Sequence, residues 1–304
     1  MMDAFEISSF VTAALQARRP VVALETTVVT HGLPDPLGVE AATSLESEVV
    51  GAGAVPATIG VLDGRVHVGL TLDELHRLAG APDVQKLNLS NFAAQLATGG
   101  PGSTTVAATC FVAARVGIEV FATGGIGGVH RGSEESGDVS ADLYALARYP
   151  VAVVCAGAQA VLDLAKTVER LETLGVPVFG YRTDQFPAFY RRESGLPVDR
   201  RFDSVEDLAR AVRAHFDLGL GTGVVVANPI PPEDEMPREQ YETTLARVLE
   251  EARAQGVSGR AVTPFLLDRM RELTGGESVD VNLALLRNNA RVAAALASAM
   301  SGRR

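Results

Sequence analysis

Short apolar runs with the composition of buried strands alternate along the chain with longer runs of helical period. The first strand-like run follows Pro20, and the later ones span Val55–Leu62, Val66–Gly69, Val116–Ala122, Pro150–Gly157, Gly175–Tyr181 and Thr222–Ala227. The predicted helices span Ile7–Ala17, Val39–Gly51, Leu72–Leu78, Ser103–Ala114, Ala141–Ala147, Val161–Leu174, Val205–Leu218 and Arg238–Gln255, and two more close the chain. This alternation predicts an α/β fold with a mainly parallel central sheet and helices on both faces.

Turn residues and breaks in the pattern refine this prediction. Asp63 and Gly64 separate two strand-like runs and predict a β-hairpin. Residues 182–204 are rich in Arg, Pro and aromatic residues and lack periodicity, so we expect a long functional loop or lid there. Because no repeat or low-complexity linker interrupts the chain, we expect a single domain over residues 1–304.

The composition excludes several classes of protein. A net charge of −10, without a cluster of basic residues, argues against nucleic acid as a partner, and 5% aromatic residues offer little surface for stacking on bases. No apolar run is long enough to cross a bilayer, and the N-terminus does not resemble a signal peptide. The two cysteines, Cys110 and Cys155, lie in apolar runs without metal-binding spacing. We therefore expect a cytoplasmic protein.

A glycine-rich loop, TGGIGGVHRGSEESGDVSAD at residues 123–142, follows a predicted strand and precedes a predicted helix. Four of its glycines, Gly124, Gly125, Gly127 and Gly128, are expected to adopt positive φ and to present N–H groups to a phosphate. The acidic residues after them suit a hard divalent metal. Turn geometry alone also explains such glycines, and an acidic run is often only a solvated loop.

Two charged residues lie in apolar strand-like segments. Glu25 follows Val-Ala-Leu in LETTVVTH, so its carboxylate either reaches solvent at the strand end or has a raised pKa suited to proton transfer. Lys86 falls in or at the end of a short strand, and Lys86 and Lys166 are the only lysines of the chain. Lys86 either extends to the surface or pairs with a substrate phosphate.

Several motifs together resemble the pseudouridine-5′-phosphate glycosidase family, also described as indigoidine synthase A-like, along nearly the whole chain. They are LETTVVTHGLP from Leu24, TGGIGGVHRG from Thr123, DVSADL from Asp138, PVAVVCAG from Pro150, NPIP from Asn228, VTPFLL from Val262 and NLALLRNNA from Asn282. The resemblance implies a homotrimer that uses Mn²⁺ to form or break the C–C bond between C1′ of ribose 5-phosphate and C5 of uracil.

The resemblance also implies roles for individual residues. Glu25 would be the proton donor and Asp138 the metal ligand. Lys86 would contact the sugar phosphate, with Thr123 and Asn282 as further phosphate contacts. The other substrate-binding positions implied are Val106, His130, Ser140, Ala141 and Asp142.

This chain departs from the family at the position of its nucleophilic lysine. An amine that forms an imine at C1′ supplies the electron sink that C–C cleavage needs, and the family places that lysine two residues after the CAG motif. Here the position holds Gln159. Lys166 is seven residues further on, about 10 Å along a helix. In the family an Arg-Asp pair usually follows the lysine that corresponds to Lys86. Here LNLSNF follows Lys86, so that pair is absent.

Three explanations for Gln159 remain open on the sequence. Lys86 itself forms the imine, in an enzyme that attaches ribose 5-phosphate to an aromatic acceptor, as in aromatic polyketide antibiotic biosynthesis. Alternatively, Gln159 is a substitution in a pseudouridine-5′-phosphate glycosidase. Third, the chain is a non-catalytic sugar-phosphate sensor. The retained Glu25, Asp138 and Ser-Ala-Asp motif argue against the sensor. We expect the first, a biosynthetic C-ribosylating enzyme of the lyase or glycosidase class.

Overall fold

Eleven strands form one sheet within residues 4–33, 36–257 and 262–302, which the computed structural model describes. Pro34 of the LETTVVTHGLP motif and the side chains of Thr263 and Pro264 in VTPFLL lie outside the described part. The strands are β1 (Phe5–Ile7), β2 (Val21–Leu24), β3 (Val55–Leu62), β4 (Arg65–Val68), β5 (Gln85–Leu87), β6 (Gly102–Thr104), β7 (Val120–Ala122), β8 (Ala152–Cys155), β9 (Val178–Tyr181), β10 (Arg200–Phe202) and β11 (Val224–Ala227).

Twelve α-helices cover this sheet in the described residues. They are α1 (Ser9–Gln16), α2 (Leu37–Gly51), α3 (Leu72–Ala79), α4 (Phe92–Thr98), α5 (Val106–Val116), α6 (Ser133–Ser136), α7 (Ala141–Leu146), α8 (Leu164–Thr173), α9 (Val205–Asp217), α10 (Arg238–Ala254), α11 (Val262–Leu273) and α12 (Glu277–Ser301). A π-helical turn spans Val28–Gly32. None of these helices is long and apolar enough to cross a membrane.

The sheet is mainly parallel, as the strand and helix alternation predicts. Its strand order is β1-β4-β3-β2-β7-β8-β11-β9-β10, and β6 joins β3 to β5. Only the pairs β3–β4 and β3–β6 are antiparallel. The first of these is the predicted hairpin, with Leu62 opposite Arg65 on either side of Asp63 and Gly64.

Burial follows the position of each strand in the sheet. Every residue of β2, β7, β8 and β11 is buried, as expected for central parallel strands covered on both faces. Helix α12 packs on β2, β7 and β8 beside α2 and α9, whereas α5 packs on β2 and β7 beside α7. The structure therefore confirms helices on both faces of the sheet.

One sequence prediction was wrong in detail. The predicted helix Ser103–Ala114 begins only at Val106, because Ser103 pairs with Lys86 of β5 and with Gly60 of β3 as part of strand β6. The segment 182–204 is a long, mostly irregular segment that packs onto the fold. Its Phe186, Ala188, Phe189 and Tyr190 are buried, and β10 adds its last residues to the sheet.

The fold brings several loops to the carboxyl ends of the central strands, where ligands of open α/β sheets usually bind. Glu25 follows β2, Thr123 follows β7, Ala156 follows β8 and Asn228 follows β11. These four strand ends are neighbours in the sheet. The predicted site residues therefore belong to one edge of the fold.

Candidate active site

A cleft of about 510 Å³ opens at this edge of the sheet. Nine predicted site residues line it, namely Glu25, Lys86, Val106, His130, Asp138, Ser140, Ala141, Asp142 and Gln159. A narrow slot of about 70 Å³ continues from it and shares Glu25, Lys86 and Gln159 with the cleft. The two remaining predicted residues, Thr123 and Asn282, line the slot. All eleven positions therefore line one or both of these neighbouring cavities.

Glu25 lies where the cleft meets the slot. The pKa of Glu25 is raised to about 7, mainly by burial; the Thr123 hydroxyl and Lys86 lower it, and the nearby Asp142 carboxylate adds to the rise. The Thr123 hydroxyl donates a hydrogen bond to Glu25 Oε1. A carboxyl group with this pKa holds and releases a proton near neutral pH, as a general acid and base requires.

The raised pKa makes a prediction about stability. Glu25 ionises near 4.5 when unfolded but only near 7 in the fold, so between these values the unfolded state binds fewer protons. The free energy of unfolding should therefore fall as pH rises through this window, by up to about 3 kcal/mol relative to Glu25→Gln. Denaturant unfolding of both proteins from pH 4 to 8 measures the difference. Parallel pH profiles for the two proteins would contradict the assigned pKa.

The glycine-rich loop differs from the predicted phosphate cradle. None of Gly124, Gly125, Gly127 and Gly128 has positive φ. Gly127 is needed for space, because a Cβ there would lie 2.3 Å from the Ser140 hydroxyl oxygen.

Protein groups already use much of the backbone of this loop. The Gly127 N–H donates to Asp142 Oδ2 at 2.8 Å, and the N–H of Ala107 donates to Asp142 Oδ1 at the same distance. The Ile126 N–H donates to the Gly157 carbonyl. Asp142 therefore ties the loop to the start of α5. Burial raises the pKa of the Asp142 carboxyl against the lowering effect of these two N–H donors.

A buried amide network fixes the other end of the loop. Asn289 of α12 donates to the Thr123 carbonyl at 2.8 Å and accepts from the Asn228 side chain at 2.8 Å. Both asparagines are buried. This network sets the position of Thr123 and, through its hydroxyl, of the Glu25 carboxyl group. It gives the NPIP and NLALLRNNA motifs a common structural role.

Lys86 is half-buried in β5 and borders both the cleft and the slot. Its side chain makes no ion pair with any described residue. The backbone around it is held by Asn91, whose Nδ2 donates to the Lys86 carbonyl at 3.0 Å and whose Oδ1 accepts from the Asn88 N–H at 2.9 Å. These two hydrogen bonds close a short turn directly after Lys86.

Gln159 and Lys166 occupy different environments. Gln159 lies in the cleft with Glu25 and Lys86, directly after the tight turn at Gly157, where φ is +85°. Lys166 is exposed on α8, and its ammonium bonds to Glu134 at 2.7 Å and lies 3.4 Å from Asp163. Lys166 does not line the cleft. Among the two lysines, only Lys86 is placed to act at the site.

Asp138, the expected metal ligand, offers a single carboxylate at the wall of the cleft. The Asp138 side chain is 30% exposed, and its Oδ2 lies 4.0 Å from His130 Nδ1. The described residues contain no group of three or more His, Cys, Asp or Glu side chains suited to a metal ion. This environment fits only a divalent ion that keeps most of its water and uses substrate oxygens as ligands.

Sequence reasoning assigned no role to His31, which borders both the cleft and the slot. Its Nδ1 lies 2.6 Å from the Thr30 hydroxyl and 3.2 Å from that of Ser103. Burial lowers the pKa of His31, with a further contribution from Lys86, so the ring is neutral at pH 7. The sequence signal for His31 was its position shortly after Glu25. In the structure, the helical turn Val28–Gly32 brings His31 back to the site.

A family profile described as indigoidine synthase A like protein matches residues 10–299. The chain belongs to this family. It is 54% identical over 294 residues to a pseudouridine-5′-phosphate glycosidase from Methylobacterium nodulans, covering 97% of this chain and 87% of that protein. The glycosidase from Paracoccus denitrificans is 54% identical over 297 residues, with 97% and 98% coverage.

Two solved structures agree with the fold. The prealnumycin C-glycosynthase AlnA, in complex with ribulose 5-phosphate, matches with a TM-score of 0.91 at 40% identity over 98% of this chain and 97% of that one. An indigoidine synthase A-like protein from Thermotoga maritima matches with a TM-score of 0.88 at 35% identity, over 98% and 96% of the two chains. The resemblance seen in the sequence is confirmed, and the protein is an enzyme of the pseudouridine glycosidase family.

Proposed function

We propose that this enzyme reversibly forms and breaks the C–C bond between C1′ of ribose 5-phosphate and a nucleobase, with pseudouridine 5′-phosphate as its first substrate. The observation that carries the proposal is the pairing of a proton donor and an amine around one space. Glu25, with a pKa of about 7, and Lys86 border both the cleft and the slot. The glycosidases at 54% identity support uracil as the base.

Lys86 is the imine-forming amine in this proposal. Gln159 has no nucleophilic nitrogen, and Lys166 is exposed and paired with Glu134. The deprotonated Lys86 amine attacks C1′, and the ribose ring oxygen leaves and takes up a proton. C1′ is then bonded to both the lysine nitrogen and the base.

Glu25 drives the next step by proton transfer. Its proton adds to C5 of the base. The C1′–C5 bond then breaks, and its electron pair stays with the ring of the base. The nitrogen lone pair forms the C1′=N bond at the same time. Water hydrolyses the imine, which releases ribose 5-phosphate and restores the amine. The reverse sequence joins the sugar to the base.

In this proposal the sugar phosphate occupies the part of the cleft lined by His130 and Asp138. Asp138 would hold a hydrated Mn²⁺ there, and that ion would neutralise phosphate charge. The base lies in the slot, where the walls include Phe189, Leu267 and Leu286. These apolar walls suit a planar ring better than they suit a phosphate, so Thr123 and Asn282 contact the base in this proposal.

A second candidate acceptor is an aromatic ring of the polyketide type. The match to the C-glycosynthase, with a TM-score of 0.91, favours it. The identity to the glycosidases is higher, 54% against 40%, and this supports uracil as the first candidate. Antibiotic biosynthesis, a homotrimer and a cytoplasmic location remain predictions from the sequence.

Chromatography of the free base tests the proposal. The enzyme with Mn²⁺ should release uracil and ribose 5-phosphate from pseudouridine 5′-phosphate, and should form the same nucleotide from the two products. Aromatic phenols and naphthoquinones offered with ribose 5-phosphate test the second acceptor class. Failure to make or break a C–C bond with any of these substrates would contradict the proposed function.

A further inference from the structure

His31 borders three cavities at this edge of the fold. They are the cleft, the slot and a chamber of about 200 Å³ whose walls also include Thr30 and Asn282. No other residue in the described ranges lines all three. The imidazole ring therefore lies at the junction of the spaces that Glu25 and Lys86 border.

Two hydroxyl groups hold one side of this ring. Nδ1 of His31 lies 2.6 Å from Thr30 Oγ1 and 3.2 Å from Ser103 Oγ. The Thr30 hydroxyl also donates to the Ser103 hydroxyl at 2.8 Å, and Ser103 is fully buried in β6. These three contacts fix the ring against β6.

Two neighbours of Lys86 contact the same ring. Ser103 is the register partner of Lys86 in the parallel pair β5–β6, and such partners place their side chains on the same face of the sheet. The backbone of Val84, two residues before Lys86, also hydrogen-bonds to His31. A neutral imidazole has one lone pair and one N–H, which suit a hydroxyl donor and a carbonyl acceptor. His31 thus links the segment 25–32 to both strands beside Lys86.

The first residues of the segment 25–32 are attached elsewhere on β6. Thr26 Oγ1 accepts from the Thr104 N–H at 3.0 Å, and Thr27 Oγ1 donates to the Thr104 carbonyl at 2.7 Å. These bonds fix Glu25 relative to β6. The contacts of His31 extend the attachment to the strand that carries Lys86.

We infer that His31 is a positioning residue for Lys86, and that it holds the amine where it attacks C1′ while Glu25 reaches the base of the same bound nucleotide. This inference rests on the proposed function and adds a residue to it. Burial lowers the pKa of His31, and Lys86 lowers it further. The ring is therefore neutral and adds no second cation beside the amine.

Three substitutions of His31 in the full-length chain test this role. His31→Leu removes both hydrogen-bonding atoms. The amide of His31→Gln is long enough to place an N–H near the position of Nε2, whereas the amide of His31→Asn reaches only the position of Nδ1. His67→Gln is the matched control, because His67 is a buried histidine of β4 that pairs with Glu74 at 2.9 Å and borders none of the three cavities.

Borohydride trapping of ribose 5-phosphate on Lys86, located by peptide mass mapping, gives a maximum rate and a half-saturating sugar concentration. We expect His31→Leu to lower the maximum rate about tenfold to a hundredfold, the cost of misplacing a reacting group by about 1 Å. The half-saturating concentration should stay close to that of the unmodified enzyme, because Lys86 keeps its charge. His31→Gln should restore most of the rate, His31→Asn should not, and His67→Gln should react as the unmodified enzyme does.

A full trapping rate in His31→Leu would overturn the inference. Equal rates in His31→Gln and His31→Asn would also overturn it, whether or not the leucine variant folds. A higher half-saturating concentration at an unchanged maximum rate would replace the positioning role with a role in substrate binding. Absence of a Lys86 adduct in the unmodified enzyme would reject the imine step and the positioning role together, whereas a Lys86 adduct that is insensitive to His31 rejects the positioning role alone.

Discussion

Replacing Glu25 with glutamine should lower the rate of C–C bond cleavage by about 10² to 10⁴-fold, the usual contribution of general acid–base catalysis. Glutamine keeps the size of the side chain and its contact with Thr123 but holds no transferable proton. Affinity for ribose 5-phosphate should stay close to that of the unmodified enzyme, because the phosphate lies at the other end of the cleft. Steady-state turnover and calorimetric binding measure the two quantities.

Glu46→Gln is the matched control for this variant. Glu46 is also a carboxyl group whose pKa is raised by burial, and it accepts a hydrogen bond from Thr58. It does not line the cleft. Its substitution should leave turnover unchanged. Full activity in Glu25→Gln would remove Glu25 from the mechanism.

Replacing Lys86 with arginine should abolish the covalent step while keeping the positive charge. Loss of a covalent nucleophile costs up to about 10⁶ in kcat in a well-studied hydrolase, so we expect a fall of on the order of 10³ to 10⁶-fold. Lys86→Met removes the charge as well, and should also weaken ribose 5-phosphate binding. Comparing the two variants separates the chemical from the electrostatic role of the lysine.

Gln159→Lys in the Lys86→Arg background tests whether the family position still works. Both side chains border the same cleft, so an amine at residue 159 should restore measurable turnover. Lys166→Met should have no effect, since Lys166 pairs with Glu134 on the surface. Unchanged turnover in Lys86→Arg, or loss of turnover in Lys166→Met, would contradict the assignment.

Much of the fold follows from local sequence patterns. The buried strands β8 and β11 are short β-branched runs, and Asp63-Gly64 marks the hairpin, so periodicity and turn chemistry identify them. The start of α5 does not follow from periodicity. Ser103 and Thr104 have small side chains compatible with a helix, and only pairing with β3 and β5, distant in sequence, makes them a strand.

In the candidate site, too, some features could be predicted from the sequence and others depend on contacts between distant segments. Resemblance placed eleven residues, and the fold gathers them around one space. The reason for the glycines was wrong, because Gly127 is required by the approach of Ser140 and Asp142 rather than by positive φ. Such a contact between a loop and a later helix cannot be read from the loop itself.

His31 was assigned no role for a related reason. It lies shortly after Glu25 in the sequence, but only the helical turn Val28–Gly32 returns its ring to the site. The segment 182–204 was predicted to be a long functional loop or lid; Phe186, Phe189 and Tyr190 are buried in it, and Phe189 forms a wall of the slot.

Borohydride reduction in the presence of ribose 5-phosphate, followed by peptide mass mapping, tests the central claim most directly. The chain has two lysines, so the position of a reduced sugar adduct identifies the amine. We predict an adduct on Lys86 of the unmodified enzyme and none on Lys166. An unmodified enzyme that forms no adduct, while Gln159→Lys gains one at residue 159, would contradict a relocated imine and show that Gln159 disables the family mechanism.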